Sequence, residues 1–295
     1  MLLSVKMISV KTMPTKPAKP GSGLSDPADF IVACDQVIAR EFEAAWLQIA
    51  PGQPAAVAAR EAQLTEGHVL FDPTQWSVSP DAASRVLAMV CAMWNEMGAE
   101  LLEREHHRHV SPTELDAAAI VRAGLHGEAA GDAASAESLP SALIQLLAAR
   151  PFLRSAAAVL VSGIDLNVWG RGYCPCCGRA PALAMLDRET RARRLWCQWC
   201  DTCWPFRRVC CVFCGNTDQG ALRHYETDPP GALRVDVCDR CHGYLKTIVS
   251  EESKDNQNGA LLQYELSSGE LDVAGAARGF RRPGHRLQGG EDAVA

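Results

Sequence analysis

The spacing of apolar residues after position 26 predicts an amphipathic helix. Asp26-Pro27 supplies a side-chain acceptor at the N-cap and a preset φ in the first turn. Apolar residues then recur at steps of three and four until Pro51-Gly52, namely Ile31, Cys34, Ile38, Phe42, Ala45 and Ile49. The pattern predicts one long helix with a single buried face, on which Cys34 is an ordinary core residue.

The same start signals recur further along the chain. Ser79-Pro80-Asp81 precedes a second apolar stripe, which includes Val86 and Val90 and has Cys91 beside it. Residues 111–114, Ser-Pro-Thr-Glu, have the form of a capping box and predict a helix that begins there. Residues 138–161 predict two helices separated at Pro151, since proline removes an N–H donor from a helix interior. We therefore expect an all-helical domain.

Domain boundaries follow from changes in this pattern. Residues 1–25 are predicted to be a flexible leader and residues 26–165 the helical domain. Residues 166–250 contain short strand-like runs between tight turns, and small antiparallel ribbons are expected there. Residues 251–295 are rich in Glu, Asp, Asn and Gly and are expected to be largely disordered, apart from one helix-like or edge segment around 261–266. The predicted fold class is α+β.

Four Cys-x2-Cys pairs fall within the third region, separated by 19, 10 and 23 residues. A turn with this spacing presents half of a tetrahedral metal site, so four turns suffice for two complete sites of the zinc-ribbon or rubredoxin type. The predicted ligands are Cys174, Cys177, Cys197, Cys200, Cys211, Cys214, Cys238 and Cys241. Two metal ions per chain are expected, either iron or zinc, and the spacing leaves open which pairs share an ion.

Other candidate ligands have weaker support. Cys176, Cys203 and Cys210 are interpreted as bystanders, although Cys203 has the right spacing from Cys200 to replace Cys197. His242 adjoins Cys241, where a ligand would distort the turn. The histidines at 106, 107 and 109 suit a solvated helix end.

Charge, cysteine usage and motifs exclude several classes. The net charge is −6, but residues 171–250 hold 12 Lys or Arg against 8 Asp or Glu, so only the cysteine region is basic. The first residues lack the pattern of a secretory signal, and clustered cysteines suit a reducing cytoplasm, so we expect a soluble cytoplasmic protein without membrane contact. No catalytic motif is present, and a four-thiolate site leaves no open position for substrate. We predict that the protein is not an enzyme.

Residues 173–249 combine the cysteine turns with flanking motifs in a fixed order. The first group is Tyr173-Cys174-Pro175-Cys176-Cys177-Gly178 with Pro181, followed by Leu195-Trp196-Cys197-Gln198-Trp199-Cys200, Trp204 and Arg208. The second group is Cys211-Val212-Phe213-Cys214-Gly215, the Tyr225 region, and 234–247, which ends in Gly-Tyr-Leu-Lys-Thr. In this order the motifs resemble the FdhE family of formate dehydrogenase accessory proteins.

The resemblance implies a cytoplasmic assembly factor with rubredoxin-like metal sites. Such a factor would bind the catalytic subunit of respiratory, molybdenum- or tungsten-dependent formate dehydrogenases before export and support its maturation. Arg207, Arg208 and Lys246 lie beside the cysteine turns and carry the charge to recognise an acidic partner surface. A homo-oligomer is left open.

Two alternatives come from other functional classes. The first is a zinc-ribbon protein that binds nucleic acid through the arginines of 188–194 and through Trp196 and Trp199, which are expected to be exposed. The acidic net charge disfavours nucleic acid as a partner. The second alternative is a rubredoxin-like electron carrier.

Overall fold

A computed structural model describes residues 27–46, 54–76, 78–101, 109–127, 139–226, 233–250 and 259–283. The described residues divide into two compact units. The helical unit comprises those within 27–55 and 71–160, and the sheet unit those within 56–70 and 161–283. The predicted leader lies outside the described residues, as do His106 and His107.

The described residues contain seven α-helices, six strands and three short 3₁₀ helices. The helices are α1 (Pro27–Trp46), α2 (Val57–Thr65), α3 (Pro80–Leu101), α4 (Ala117–His126), α5 (Leu139–Leu160), α6 (Ala260–Ser267) and α7 (Gly269–Ala277). The strands are β1 (Leu183–Asp187), β2 (Arg193–Trp196), β3 (Cys203–Phe206), β4 (Leu222–Glu226), β5 (Leu233–Cys238) and β6 (Tyr244–Ser250). This combination confirms the predicted α+β class.

The helical unit is formed by α1, α3, α4 and α5, which pack on one another. The predicted stripes face its core: Ile38 and Val86 are fully buried, and Cys34 and Cys91 are buried as expected. The core also holds Asp35, whose carboxylate accepts hydrogen bonds of 2.8 and 3.0 Å from Arg150. Burial alone would raise the pKa of Asp35, but Arg150 and Arg154 outweigh it and hold the pKa below its usual range.

Two helix boundaries differ from the prediction. Residues 112–114 form only a 3₁₀ turn, and the side chain of Ser111 caps no helix. The helix starts later because Asp116 accepts a 2.9 Å hydrogen bond from the backbone N–H of Ala119, which makes it the N-cap of α4.

The predicted break at Pro151 is also absent, and α5 continues through it. A proline removes a single N–H donor, and the buried side chains on both sides, including Ala148 and Leu153, keep the helix packed. One stretch of α5, Ala142–Leu160, is long and apolar enough to cross a membrane by composition, but 72% of it is buried within the protein. This degree of burial is typical of a helix in a protein core.

The six strands form one mixed sheet in the order β3-β2-β1-β6-β5-β4. β1, β2 and β3 pair antiparallel, as do β4, β5 and β6. The two halves join where β1 and β6 pair in parallel, from Leu183 with Lys246 to Asp187 with Ser250. The expected antiparallel ribbons are therefore present, and the pairing of β1 with β6 joins them into one continuous sheet, which the sequence analysis did not predict.

The C-terminal segment was predicted to be largely disordered, yet residues 259–283 form α6, α7 and a short extension. Leu262 and Leu271 are buried, and the ammonium of Lys246 lies 3.2 Å from the Glu265 carboxylate and 2.9 Å from that of Asp272. The acidic residues that suggested disorder instead neutralise a buried cation. The rest of the predicted tail, 251–258 and 284–295, lies outside the described residues.

Helix α2 was not predicted and belongs to the sheet unit, although the predicted helical domain includes its residues. Its Leu64 is buried, and Arg60 donates a 3.1 Å hydrogen bond to the carbonyl of Ser162. Beyond α2, the backbone N–H of Leu70 donates to the carbonyl of Pro175, so this segment supports the first cysteine turn. Independent folding of residues 26–165 stays a prediction.

Candidate metal centres

The four cysteine pairs share one backbone geometry. In each turn the N–H of the first cysteine donates to the carbonyl five residues later, and its carbonyl accepts from the N–H four residues later. All eight of these hydrogen bonds measure between 2.8 and 3.0 Å. The turn holds the two cysteine side chains on the same side, as a half-site for a metal ion requires.

The fourth position after each first cysteine is left-handed. The residues there are Gly178, Asp201, Gly215 and His242, with φ of 75°, 58°, 68° and 56°. His242 is therefore fixed by the turn itself, is exposed, and has its ring 6.2 Å from that of Phe280. It belongs to neither sulfur cluster.

The turns pair in chain order to bring the sulfurs into two clusters. The first cluster contains Cys174, Cys177, Cys197 and Cys200, and the second contains Cys211, Cys214, Cys238 and Cys241. Within each cluster all four sulfurs lie within 4.8 Å of one another. All eight residues named from the sequence are thus brought together, and the pairing that the spacing left open is that of neighbouring turns.

The sulfur separations suit a tetrahedral ion. In the first cluster they include 3.5 Å between Cys174 and Cys200 and 3.7 Å between Cys177 and Cys200, and in the second 3.8 Å between Cys214 and Cys238. Four thiolates about 2.3 Å from a central ion would be spaced by about 3.8 Å, whereas a disulfide requires about 2.0 Å. All of these cysteines are free. Each cluster could hold one metal ion, and tetrathiolate geometry does not separate zinc from iron.

Burial disfavours ionisation of most thiols in the first cluster. All four of its cysteines are buried, and burial raises the pKa of Cys174, Cys197 and Cys200. Burial also opposes ionisation of Cys177, but hydrogen bonds from the other three sulfurs hold its pKa well below the usual range. A metal ion is held by thiolates, so its binding here would have to offset the cost of ionising buried thiols and would release protons.

The second cluster is more accessible. Cys211 and Cys238 are buried, but Cys214 and Cys241 are only half-buried. A hydrogen bond from Cys211 lowers the pKa of Cys241 to about 5, and burial raises that of Cys214 to about 11. The two clusters therefore share a geometry and differ in exposure.

Two side chains that the sequence did not single out contact the cluster sulfurs. The hydroxyl of Thr202 lies 3.1 Å from the sulfur of Cys200, and the amide of Asn216 lies 3.7 Å from that of Cys238. Each is the fifth residue after the first cysteine of a turn, where its own carbonyl already accepts a hydrogen bond. Their position, five residues after the first cysteine of a turn, is the sequence signal that could have identified them.

The three extra cysteines lie outside both four-sulfur clusters. Cys176 is fully buried beside the first cluster, and Cys203 is the first residue of β3, paired in register with Trp196. Cys210 is buried, and its thiol lies 3.6 Å from the carbonyl of Cys211. Cys197, not Cys203, completes the first cluster because its turn follows β2 directly.

Two expectations about surface residues are wrong. Trp196 is fully buried, since it is the last residue of β2 and points into the core, so it offers no stacking surface. Lys246 is also fully buried and is neutralised by Glu265 and Asp272. Arg207 and Arg208 are exposed as expected, and Trp199 is partly exposed, with the Arg179 guanidinium 4.3 Å from its ring centre.

Comparisons with known proteins point to one family. The chain is 29% identical over 158 residues to an FdhE homologue of Stutzerimonas stutzeri, 31% over 159 residues to one of Pseudomonas aeruginosa, and 34% over 116 residues to the FdhE protein of Escherichia coli. These matches cover 51%, 49% and 38% of this chain and 50%, 48% and 36% of the relatives. The chain thus matches about half or less of the length of these curated relatives.

No family model matches the chain. A crystal structure of the FdhE protein from P. aeruginosa aligns over 90% of this chain and 99% of its own, with 19% identity and a TM-score of 0.45. Over the segments that match in sequence, the chain is similar to FdhE proteins.

Proposed function

We propose that the protein is a cytoplasmic accessory factor that binds the catalytic subunit of formate dehydrogenase and supports its maturation. The observation that carries the proposal is the pair of complete four-cysteine clusters in a chain similar to FdhE proteins. The motif resemblance supplies the link to formate dehydrogenase. Because the matches cover only part of each relative, the partner is proposed for this chain as a hypothesis of its own.

The eight clustered cysteines are proposed to hold two metal ions, one per cluster, as iron or zinc. All four donors in each cluster are cysteine sulfurs, so a bound ion has no open position at which to activate water or substrate. The ion would instead fix the turns, and with them the loops and strands of the sheet unit. We therefore infer a binding role and no enzymatic reaction.

Co-purification tests the proposed function. The tagged wild-type protein should retain the catalytic subunit of formate dehydrogenase, and a Cys238→Ala/Cys241→Ala double variant should lose it, because two turns can no longer be fixed by metal. Cys203→Ala is the matched control, since Cys203 lies outside both clusters and should leave binding unchanged. Failure of the metal-loaded wild type to retain the subunit would reject the proposal.

One observation favours a second candidate, an electron carrier. Cys214 and Cys241 are partly exposed, which would give an electron-transfer partner access to the second cluster. An iron-loaded protein whose visible thiolate absorption bleaches and returns through repeated reduction and oxidation would support this candidate. The nucleic-acid alternative loses one of its two stacking residues, because Trp196 is buried.

A further inference from the structure

A pocket of about 280 Å³ lies beside the second cluster. Its lining includes Arg193, Arg208, Arg223 and Arg234, together with the cluster residues Cys211 and Cys238. Asp236 is the only carboxylate among the described residues that line it. The site is therefore concave and rich in arginine.

The carboxylate of Asp236 is already engaged. One oxygen lies 2.8 Å from the Nε atom of Arg234, and the other accepts a 2.7 Å hydrogen bond from the hydroxyl of Thr247. The guanidinium of the buried Arg193 lies 3.5 Å from the second oxygen and also donates a 2.9 Å hydrogen bond to the carbonyl of Cys210. Asp236 thus neutralises Arg193 and Arg234 inside the pocket. Little of its negative charge is left to offset the arginines at the pocket entrance.

Arg208 provides the positive charge at the rim. It is exposed, and among the described residues its guanidinium has no hydrogen bond and no ion pair. Arg223, the other exposed arginine of the lining, is paired with Asp239. An anion entering the pocket would therefore meet Arg208 first.

Much of the remaining wall of the pocket is apolar, although Gln219 and His224 also line it. Val209 at the rim is 44% exposed, and Val212, Phe213, Leu222 and Leu245 line the interior. Small-molecule pockets usually measure about 300–1,000 Å³. A pocket of 280 Å³ suits one or two side chains of a polypeptide.

We propose that this pocket binds an acidic residue with an apolar neighbour, presented by a segment of the partner polypeptide. The acidic side chain pairs with Arg208, and the apolar side chain lies against Val209 and Leu222. A polypeptide is favoured over nucleic acid because Val212, Phe213, Leu222 and Leu245 offer an apolar side chain a place inside the pocket, which the sugar-phosphate backbone would not use. The inference rests on the proposed function and assigns a docking site to it.

Charge reversal at the rim tests the site. The binding constant of the catalytic subunit of formate dehydrogenase is measured for the wild type, Arg208→Glu and Val209→Asp. Arg188→Glu is the control, because Arg188 is exposed in the turn after β1 and changes the net charge by the same amount. Arg208→Glu should weaken binding by roughly tenfold, since it replaces attraction with repulsion, whereas Arg188→Glu should stay within about twofold. Metal content and thermal midpoint verify that each variant is folded.

The outcomes separate the two hypotheses. If the wild type binds and both pocket variants bind equally well, the docking site is wrong and the proposed function stands. If Arg188→Glu weakens binding as much as Arg208→Glu, net charge explains the effect and the pocket is again rejected. If the wild type binds single-stranded nucleic acid through Arg208 and not the subunit, both proposals are rejected together.

Discussion

Replacing Lys246 with methionine should destabilise the C-terminal helices because it leaves an uncompensated buried charge. Lys246 is fully buried, and its ammonium contacts Glu265, which is 8% exposed, and Asp272. Arg282 contacts the same two carboxylates, so the cluster holds two positive and two negative groups. Removal of one partner from a buried ion pair costs about 3–5 kcal/mol. We expect the lower end, about 3 kcal/mol, because Arg282 remains to stabilise the carboxylates.

Native-state hydrogen exchange is the appropriate assay. A loss of about 3 kcal/mol should speed exchange in α6 and α7 by roughly two powers of ten, if these helices open as a local unit. The matched variant is Lys246→Met/Asp272→Asn, which removes one charge of each sign and restores neutrality. It should recover much of the lost protection. If it exchanges as fast as Lys246→Met, lost packing and not uncompensated charge explains the effect, and the reasoning is refuted.

Three further predictions concern the metal sites, a close backbone contact and a buried carboxylate. Elemental analysis should find two metal ions per chain in the wild type, one in Cys214→Ala and two in Cys203→Ala. A chelator should remove one ion of the wild type faster than the other, because the second cluster is half-exposed. Gly172→Ala should lower the free energy of unfolding, measured in urea, by about 2 kcal/mol or more, because its Cβ would lie 1.8 Å from the carbonyl oxygen of Val212. An unchanged unfolding midpoint would contradict this. Asp35 has a lowered pKa, so its stabilisation is fully present above about pH 4 and is lost as the pH falls through the lower folded value. Acid titration of Asp35→Asn should lack this transition, and identical acid profiles would refute it.

Local features of the fold could be predicted from the sequence. Helix α1 begins at Pro27, as the sequence predicts, because a helix start signal is contained within one turn of chain. The eight cysteines were identified because Cys-x2-Cys encodes the turn that presents two sulfurs, and this is again a local property. The cysteines form two clusters because consecutive turns along the chain lie side by side. The spacing of the cysteines does not by itself determine which turns meet.

Features that depend on distant segments were missed. The parallel pairing of β1 with β6 joins segments that are separated by three cysteine turns, and no short-range pattern encodes it. Lys246 looks like a surface cation until α6 and α7 bring carboxylates to it. Pro151 looks like a break until the buried neighbours of α5 are considered. In each case tertiary packing outweighs local preference.

The strand order has a consequence for how the sheet unit is built. Residues 174–206 and 211–250 pass through the same parts in the same order: a cysteine turn, two strands, a second cysteine turn and a third strand. β1, β2 and β3 correspond to β4, β5 and β6, and the first strand of one half joins the last strand of the other. This is the arrangement of a tandem duplication joined head to tail, which, unlike a twofold dimer, does not close on itself.

A repeat that does not close on itself needs features at its two edges that prevent further strands from adding to the sheet. At one edge of the described sheet, Pro205 within β3 lacks the N–H that a further strand would require. The other edge is β4, where Arg223 is exposed, and edge charges of this kind discourage pairing with another chain. Because each half carries its own four cysteines, one site can change its exposure or its metal while the other keeps the common sheet intact.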